Sequence, residues 1–171
     1  SVPGPAAFVD ALIISGQSTR RFVFEAFLPT DKKERRAVLE SFQKETRTII
    51  MYEAPHRLKK TLAELHEYIG NRKLSICKEL TKRYENNFRT KIEEAMDYYE
   101  ENDPKGEFVL VIEGRSEAEL QEEEKQKWDS ISLEEHMNIY MLKGMSKKEA
   151  MKAVASDRGI SKRDVYQQLL N

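Results

Sequence analysis

The sequence predicts an α/β fold, a β-sheet sandwiched between helices, followed by a small helical unit. Three observations carry this prediction. Phe108-Val109-Leu110-Val111-Ile112 is apolar without a break, the pattern of a strand buried on both faces. Two further short runs, Ile49 to Tyr52 and Lys73 to Cys77, alternate with stretches of helical periodicity. Beyond Gly114 the chain turns acidic, and Ser132 with Glu135, Ser146 with Glu149 and Ser161 with Asp164 then repeat the spacing of a capping box.

Taken in order, Pro3-Gly4-Pro5 sets a rigid turn, and Pro5 suits the first turn of a helix, where a missing N–H costs nothing. That helix is predicted from about Ala6 to Ser15, with Phe8, Ala11 and Leu12 as its apolar stripe, Ser15 continuing it, and Gly16 ending it. Arg21 to Phe27 is rich in β-formers and stops at Leu28-Pro29. Thr30 or Asp31 caps a second helix, with Lys32, Lys33, Arg35 and Arg36 as a basic exposed face and Val38, Leu39 and Phe42 turned inward.

The central strand ends abruptly in a polar turn, Glu53 to Arg57, and a helix follows on which Leu58, Leu62, Leu65 and Ile69 share a face before Gly70. The strand at Lys73 to Cys77 runs into a second polar cluster, Lys78 to Glu85. Phe88 to Lys91 is a brief strand, and Ile92, Ala95, Met96 and Tyr99 repeat at helical spacing until Asn102-Asp103-Pro104. The expected organisation is an α/β domain over 1–114, an acidic linker, partly helical, over 115–130, and a three-helix unit over 131–171.

At 171 residues, 35% charged and 39% hydrophobic, the chain suits one globular domain with a small appendage. Its 29 Lys and Arg nearly balance 30 Asp and Glu, so nucleic-acid affinity must come from local basic patches. Cys77 is the single cysteine, which excludes an internal disulfide and a cysteine-based metal cluster and points to a reducing, cytoplasmic setting. No metal site is expected, because His56, His66 and His136 lack ligand-like spacing, and no segment suits a membrane. The opening Ser1-Val2-Pro3-Gly4-Pro5 carries no initiating Met, so the chain is expected to be a piece of something longer.

In open α/β sheets ligands sit beyond the carboxyl ends of strands. Glu53, His56 and Arg57 there have the composition of an acid/base pair with an anion clamp; a turn of satisfied polar groups is the bland alternative, as an ion-paired surface turn is for the next cluster. Glu79, Thr81, Lys82 and Glu85 pose the same choice. In the tail, Ala155, Gly159 and Val165 match the small residue, turn glycine and buried branched residue of a helix-turn-helix, with Lys162 and Arg163 opening the second helix. Lys143, Lys147, Lys148, Lys152, Arg158, Lys162 and Arg163 outnumber Glu149, Asp157 and Asp164 there, which favours phosphate contact.

Several stretches in fixed order resemble the C-terminal domain of the tetrapyrrole methylase-like superfamily of S-adenosylmethionine-dependent methyltransferases. They are Pro3-Gly4-Pro5-Ala6-Ala7, Phe22 to Pro29, Tyr52-Glu53-Ala54-Pro55-His56-Arg57-Leu58, Lys78-Glu79-Leu80-Thr81-Lys82 with Glu85, and Lys105-Gly106-Glu107 leading into Val109 to Gly114. The third and fourth resemble most the branch acting on small-subunit (16S) ribosomal RNA as cytidine-2′-O-methyltransferases. The resemblance implies a mixed β-sheet flanked by helices, S-adenosylmethionine as cofactor, ribosomal RNA as partner and a homodimer.

Carried over by position, it places cofactor contacts, mostly through backbone, at Ala6, Ala7, Glu53 and Thr81. Substrate recognition or catalysis falls on Tyr52, His56, Arg57, Glu79, Lys82 and Glu85, with the proton acceptor open among Glu79, Glu85, His56 and Lys82. Arg57, Lys82 and Arg83 are candidate phosphate contacts, extended by the basic helix at Lys32 to Arg36. The tips around Glu53 and Thr81 are expected to end neighbouring strands and form one wall of a pocket. The family's other, N-terminal wall is absent from these residues, so the chain alone is expected to be inactive. A non-enzymatic nucleic-acid-binding module and a corrin- or siroheme-type small-molecule methylase are the alternatives.

Overall fold

Phe108–Ile112, the uninterrupted apolar run, is the middle strand of a five-stranded sheet in the computed structural model, and all five of its residues are buried. The structure describes residues 4–169, so Pro3 of the predicted opening turn lies outside the described residues. The chain divides into two compact units, Ser1–Arg115 and Ser116–Asn171.

The first unit contains α1 (Ala7–Ser15), β1 (Phe22–Phe27), α2 (Lys32–Phe42), β2 (Thr48–Glu53), α3 (Pro55–Ile69), β3 (Lys73–Lys78), β4 (Asn86–Lys91), α4 (Ile92–Glu101) and β5 (Phe108–Ile112). The sheet order is β1-β2-β5-β3-β4, with β1 and β2 parallel and every pairing of β5, β3 and β4 antiparallel. The sheet is therefore mixed, and the two-residue period of a strand gives β5 a layer on each side. Phe108, Leu110 and Ile112 join the core that holds Leu39, Phe42, Leu58, Leu62, Leu65 and Ala95 of α2, α3 and α4. Val109 and Val111 pack with Ala11 and Leu12 of α1, together with Ile50 and Cys77. Gly114 follows β5 so closely to the backbone of Thr46 and Arg47 that a Cβ there would collide with both.

Asp31, not Thr30, caps α2, its Oδ1 accepting from the amides of Lys33 and Glu34 at 2.9 and 3.0 Å. Arg35 departs from the expected basic face of that helix. It is buried, donates to Thr61 Oγ1 at 2.8 Å, and forms an ion pair with Glu64 through both Nε and a terminal nitrogen. A bulge interrupts β1 between Phe24 and Ala26, where Ala26 takes φ 58°. The extra residue lets both Phe24 and Phe27 meet Tyr52, with ring centroids 5.1 and 5.6 Å away.

The second unit comprises α5 (Glu117–Asp129), α6 (Leu133–Leu142), α7 (Lys147–Arg158) and α8 (Lys162–Gln168). Ser116, Ser132, Ser146 and Ser161 each complete a capping box at a helix start. Met137, Ala150, Met151, Val154, Ala155 and Val165 form its core. Among the described residues no helix is long and apolar enough to cross a membrane.

Candidate functional site

Glu53, the last residue of β2, and Lys78, the last of β3, both lie opposite Phe108, the first residue of β5. β2 and β3 therefore run the same way and finish at one edge of the sheet. The sequence suggested that they are neighbouring strands; instead β5 runs between them, because its antiparallel pairing satisfies both inner edges at once. Their tips are set two strand spacings, about 10 Å, apart.

At the β2 tip the polar stretch is less a turn than a helix start. Pro55 occupies the first position of α3, so His56 and Arg57 belong to the first helical turn. Alternation along β2 turns the Tyr52 side chain to the α1 side and that of Glu53 into the α2 and α3 layer, where Glu53 is 1% exposed. Its Oε1 accepts from the Ala54 amide at 2.8 Å, and its Oε2 accepts from the Thr61 hydroxyl at 2.5 Å. Arg57 sits with Nε 3.5 Å from Glu53 Oε1 and donates through a terminal nitrogen to the Leu28 carbonyl at 2.9 Å. The side chains of Glu53 and Arg57 thus tie β1, β2 and α3 together. His56 is exposed beside them.

Beyond β3, Glu79 at φ 51° and Thr81 at φ 64° hold left-handed conformations that cost a non-glycine residue about 1 kcal/mol or more each. Hydrogen bonds fix this turn. The Glu79 amide donates to the Glu107 carbonyl at 3.2 Å, and the Glu107 amide returns a bond to Glu79 Oε1 at 3.0 Å. Lys82 Nζ donates to Glu79 Oε1 and Glu107 Oε2 at 3.4 and 3.2 Å, and the Thr81 amide donates to Glu85 Oε2 at 2.8 Å. The Glu107 amide, with Lys82 beside it, holds the Glu79 carboxyl below its ordinary range. The Glu107 carboxylate, then Glu79, raises the Lys82 ammonium. Gly106, at φ +85°, leaves the space that the Glu79 carboxylate fills. Thr81, Arg83 and Glu85 are exposed, and the Arg83 guanidinium lies 5.7 Å from the Tyr84 ring centroid. The sequence places Gly106 and Glu107 in a stretch of their own, and only the fold joins them to Glu79, across β4 and the whole of α4.

Ala6 is the N-cap residue of α1 and makes no side-chain cap, so the helix starts with small residues and uncapped amides. Phe8, one turn on, stacks on Phe24 at 4.4 Å, which sets this end of α1 over β1. Phe22, Phe24 and Phe27 remain 39%, 38% and 54% exposed.

In the second unit, α7 and α8 are joined through Gly159, Ile160 and Ser161, with Gly159 at φ 64° and Ala155 and Val165 buried. This is the turn length of a helix-turn-helix, and Lys162 and Arg163 are exposed at the start of α8. His136 is sealed from solvent and stacks on Trp128 with centroids 3.8 Å apart. Arg158 Nε donates to His136 Nδ1 at 3.2 Å, which makes Nε2, 3.2 Å from Asp157 Oδ2, the protonated ring nitrogen. Among the described residues no cluster of His, Cys, Asp and Glu could hold a metal ion.

A mixed sheet with helices on both faces, with two strands of like direction ending at one polar edge, defines an α/β fold. The chain belongs to the tetrapyrrole (corrin/porphyrin) methylase family, whose family model matches residues 1–96. It is similar to the ribosomal RNA small subunit methyltransferase I of Halalkalibacterium halodurans, 47% identical over 96% of this chain and 56% of that protein. The protein of the same name from Bacillus subtilis is 44% identical over the same shares. The chain thus spans about half the length of the curated relatives it matches. Among solved structures, a cobalamin biosynthetic enzyme, cobalt precorrin-4 methyltransferase, shares the fold with TM-score 0.50 and 18% identity over 64% of this chain and 50% of that one.

Proposed function

We propose that this chain is the C-terminal part of a small-subunit ribosomal RNA methyltransferase and forms one wall of its S-adenosylmethionine pocket. The whole protein then methylates the ribose 2′-hydroxyl of a cytidine. The observation that carries the reading is the common edge at which β2 and β3 end against Phe108, in a chain 47% identical to a protein named as a ribosomal RNA small subunit methyltransferase. Its setting is a reducing cytoplasm and its assembly a homodimer.

The residues at hand suit an adenosyl group held through main-chain atoms. Ala6 and Ala7 add no bulk to the uncapped start of α1, Thr81 is an exposed residue in a left-handed turn, and Glu53 keeps its carboxylate in the opposite layer so that only its main chain is offered. When bound, S-adenosylmethionine supplies the electrophilic methyl group. With one wall alone the chain is inactive, because positioning is most of what such a transfer needs.

The ribose hydroxyl must lose its proton as its oxygen is alkylated. Glu79, with its depressed pKa, and Lys82, with its raised one, are poor acceptors near neutrality, and Glu85 is committed to the Thr81 amide. These three fix the shape of the turn. We assign the proton acceptor to His56. Arg83, Lys162 and Arg163 take RNA phosphates, Tyr52 presents a ring to RNA on the α1 side, and Arg57 acts on RNA indirectly by anchoring Leu28.

The test is His56→Ala in the full-length parent, assayed on small ribosomal subunits with and without the target hydroxyl. Because His56 is exposed, the fold should persist while kcat falls about 100-fold or more. Unchanged turnover would remove His56, and methylation that ignores the 2′-hydroxyl would remove the reading itself.

A further inference from the structure

Outside the strand-end site, a cavity of about 440 Å³ opens at the β3 and β4 ends of the first unit, over the core residues Ile76 and Tyr99. Strand periodicity builds its floor. Ile76 and Lys78 share a face of β3, and their partners across the ladder, Phe88 and Asn86, share that face of β4. The last turn of α4 brings Tyr98 and Tyr99, and the segment that follows brings Lys105. Phe88 and Tyr98 stand 5.0 Å apart at 51°, and Tyr98 keeps 48% of its surface exposed.

We propose that this cavity binds one unpaired ribonucleotide of an RNA strand, its base stacked on Tyr98 and its phosphate met by Lys78 and Lys105. The proposal rests on the reading of the substrate as RNA and adds a second contact point to it. The volume lies within the range of small-molecule sites and admits a nucleotide. A half-exposed aromatic ring beside lysines is the combination by which proteins hold splayed single strands, since every base offers a π-face and every linkage a charge.

The carboxylates settle what kind of ligand fits. Glu101 and Asp103 also line the cavity, and Asp103 lies 3.7 Å from Lys59. Two acids would repel a bare phosphate, but they accept hydrogen bonds from the exocyclic amino group of a base, as carboxylates do from cytosine. The site therefore favours cytosine or adenine over uracil. Lys78 immediately precedes Glu79, so the bound nucleotide flanks the one that reaches the strand edge.

Fluorescence anisotropy of the full chain with labelled cytidine and uridine hexaribonucleotides tests this. Tyr98→Ala should weaken the cytidine hexamer about 5-fold or more, Tyr98→Phe should retain affinity, and Lys105→Glu, on an exposed residue, should weaken it with the fold intact. The uridine hexamer should bind less tightly than the cytidine one. Equal affinity for the two hexamers, or affinity indifferent to both Tyr98→Ala and Lys105→Glu, would overturn the proposal. In the full-length parent, Tyr98→Ala should raise KM for ribosomal subunits and leave kcat in place. A parent that methylates no ribosomal RNA, with hexamer binding still dependent on Tyr98, removes the methyltransferase reading and keeps the cavity. Intact methylation with hexamer binding indifferent to Tyr98 removes the cavity alone.

Discussion

Glu53 Oε2 accepts the Thr61 hydroxyl at 2.5 Å, and both residues are sealed from solvent. Thr61 also receives Arg35, which pairs with Glu64, so one buried chain of polar contacts joins β2, α3 and α2. Satisfied buried networks of this kind hold elements in a single arrangement, and they fail expensively when one member is removed.

Thr61→Val keeps the shape of the side chain and removes both of its hydrogen bonds. It should lower the stability of the first unit by about 1–3 kcal/mol, because the Glu53 carboxylate loses a donor it cannot replace with water. Urea denaturation of the variant beside the parent chain measures this. A loss below a few tenths would mean that the carboxylate is not sustained by Thr61.

Gly106→Ala should destabilise the turn after β3. The substitution places a Cβ against the Glu79 carboxylate at a backbone φ of +85°, which alone costs about 1 kcal/mol. Hydrogen exchange should quicken at the Glu79 and Glu107 amides, which exchange bonds across this contact. Protection unchanged at both would show that the turn holds without Glu79.

The second unit should lose stability in mild acid. Burial first, and Arg158 besides, lower the His136 pKa from its ordinary value of 6.5, while Asp157 opposes them. A folded-state pKa below the unfolded one means that the unfolded chain binds the proton more readily. Stability is therefore full above pH 6.5 and falls as pH drops through that value toward the folded pKa. Trp128, the only tryptophan, reports unfolding directly from its place on the imidazole. His136→Gln should abolish the pH dependence between about 5 and 7, and a dependence that persisted would have another source.

Lys162→Ala and Arg163→Ala should each reduce the slope of log affinity against log salt for single-stranded RNA by about 1, without changing sequence preference. Anisotropy titrations of the full chain over a range of salt concentrations give the slopes. Slopes equal to that of the parent chain would remove these residues from the RNA interface.

Much of this architecture is legible in the residues themselves, where the determinants are local. Leu58, Leu62, Leu65 and Ile69 mark the buried face of α3, and Ser132, Ser146 and Ser161 mark three helix starts, because spacing and capping act within a turn or two. Partners far apart along the chain left no such mark. Arg35 looks like one of a run of surface cations, and only the fold shows that Glu64 and Thr61 take it inside. The position of β5 between β2 and β3, the bulge at Ala26 and the bond between Glu79 and Glu107 are likewise settled by tertiary pairing. The acidic stretch 115–130 has few apolar residues to set a period, and the anchor of α5 is the stacking of Trp128 on His136.

The last strand to be synthesised in the first unit is also the one that closes its sheet. Until residues 108–112 emerge from the ribosome, β2 and β3 both lack the strand that pairs with their inner edges. Pairing β5 with both edges joins residues far apart along the chain, a long-range, slow step. A chain stalled or cleaved before Phe108 should therefore aggregate rather than persist as a smaller folded protein.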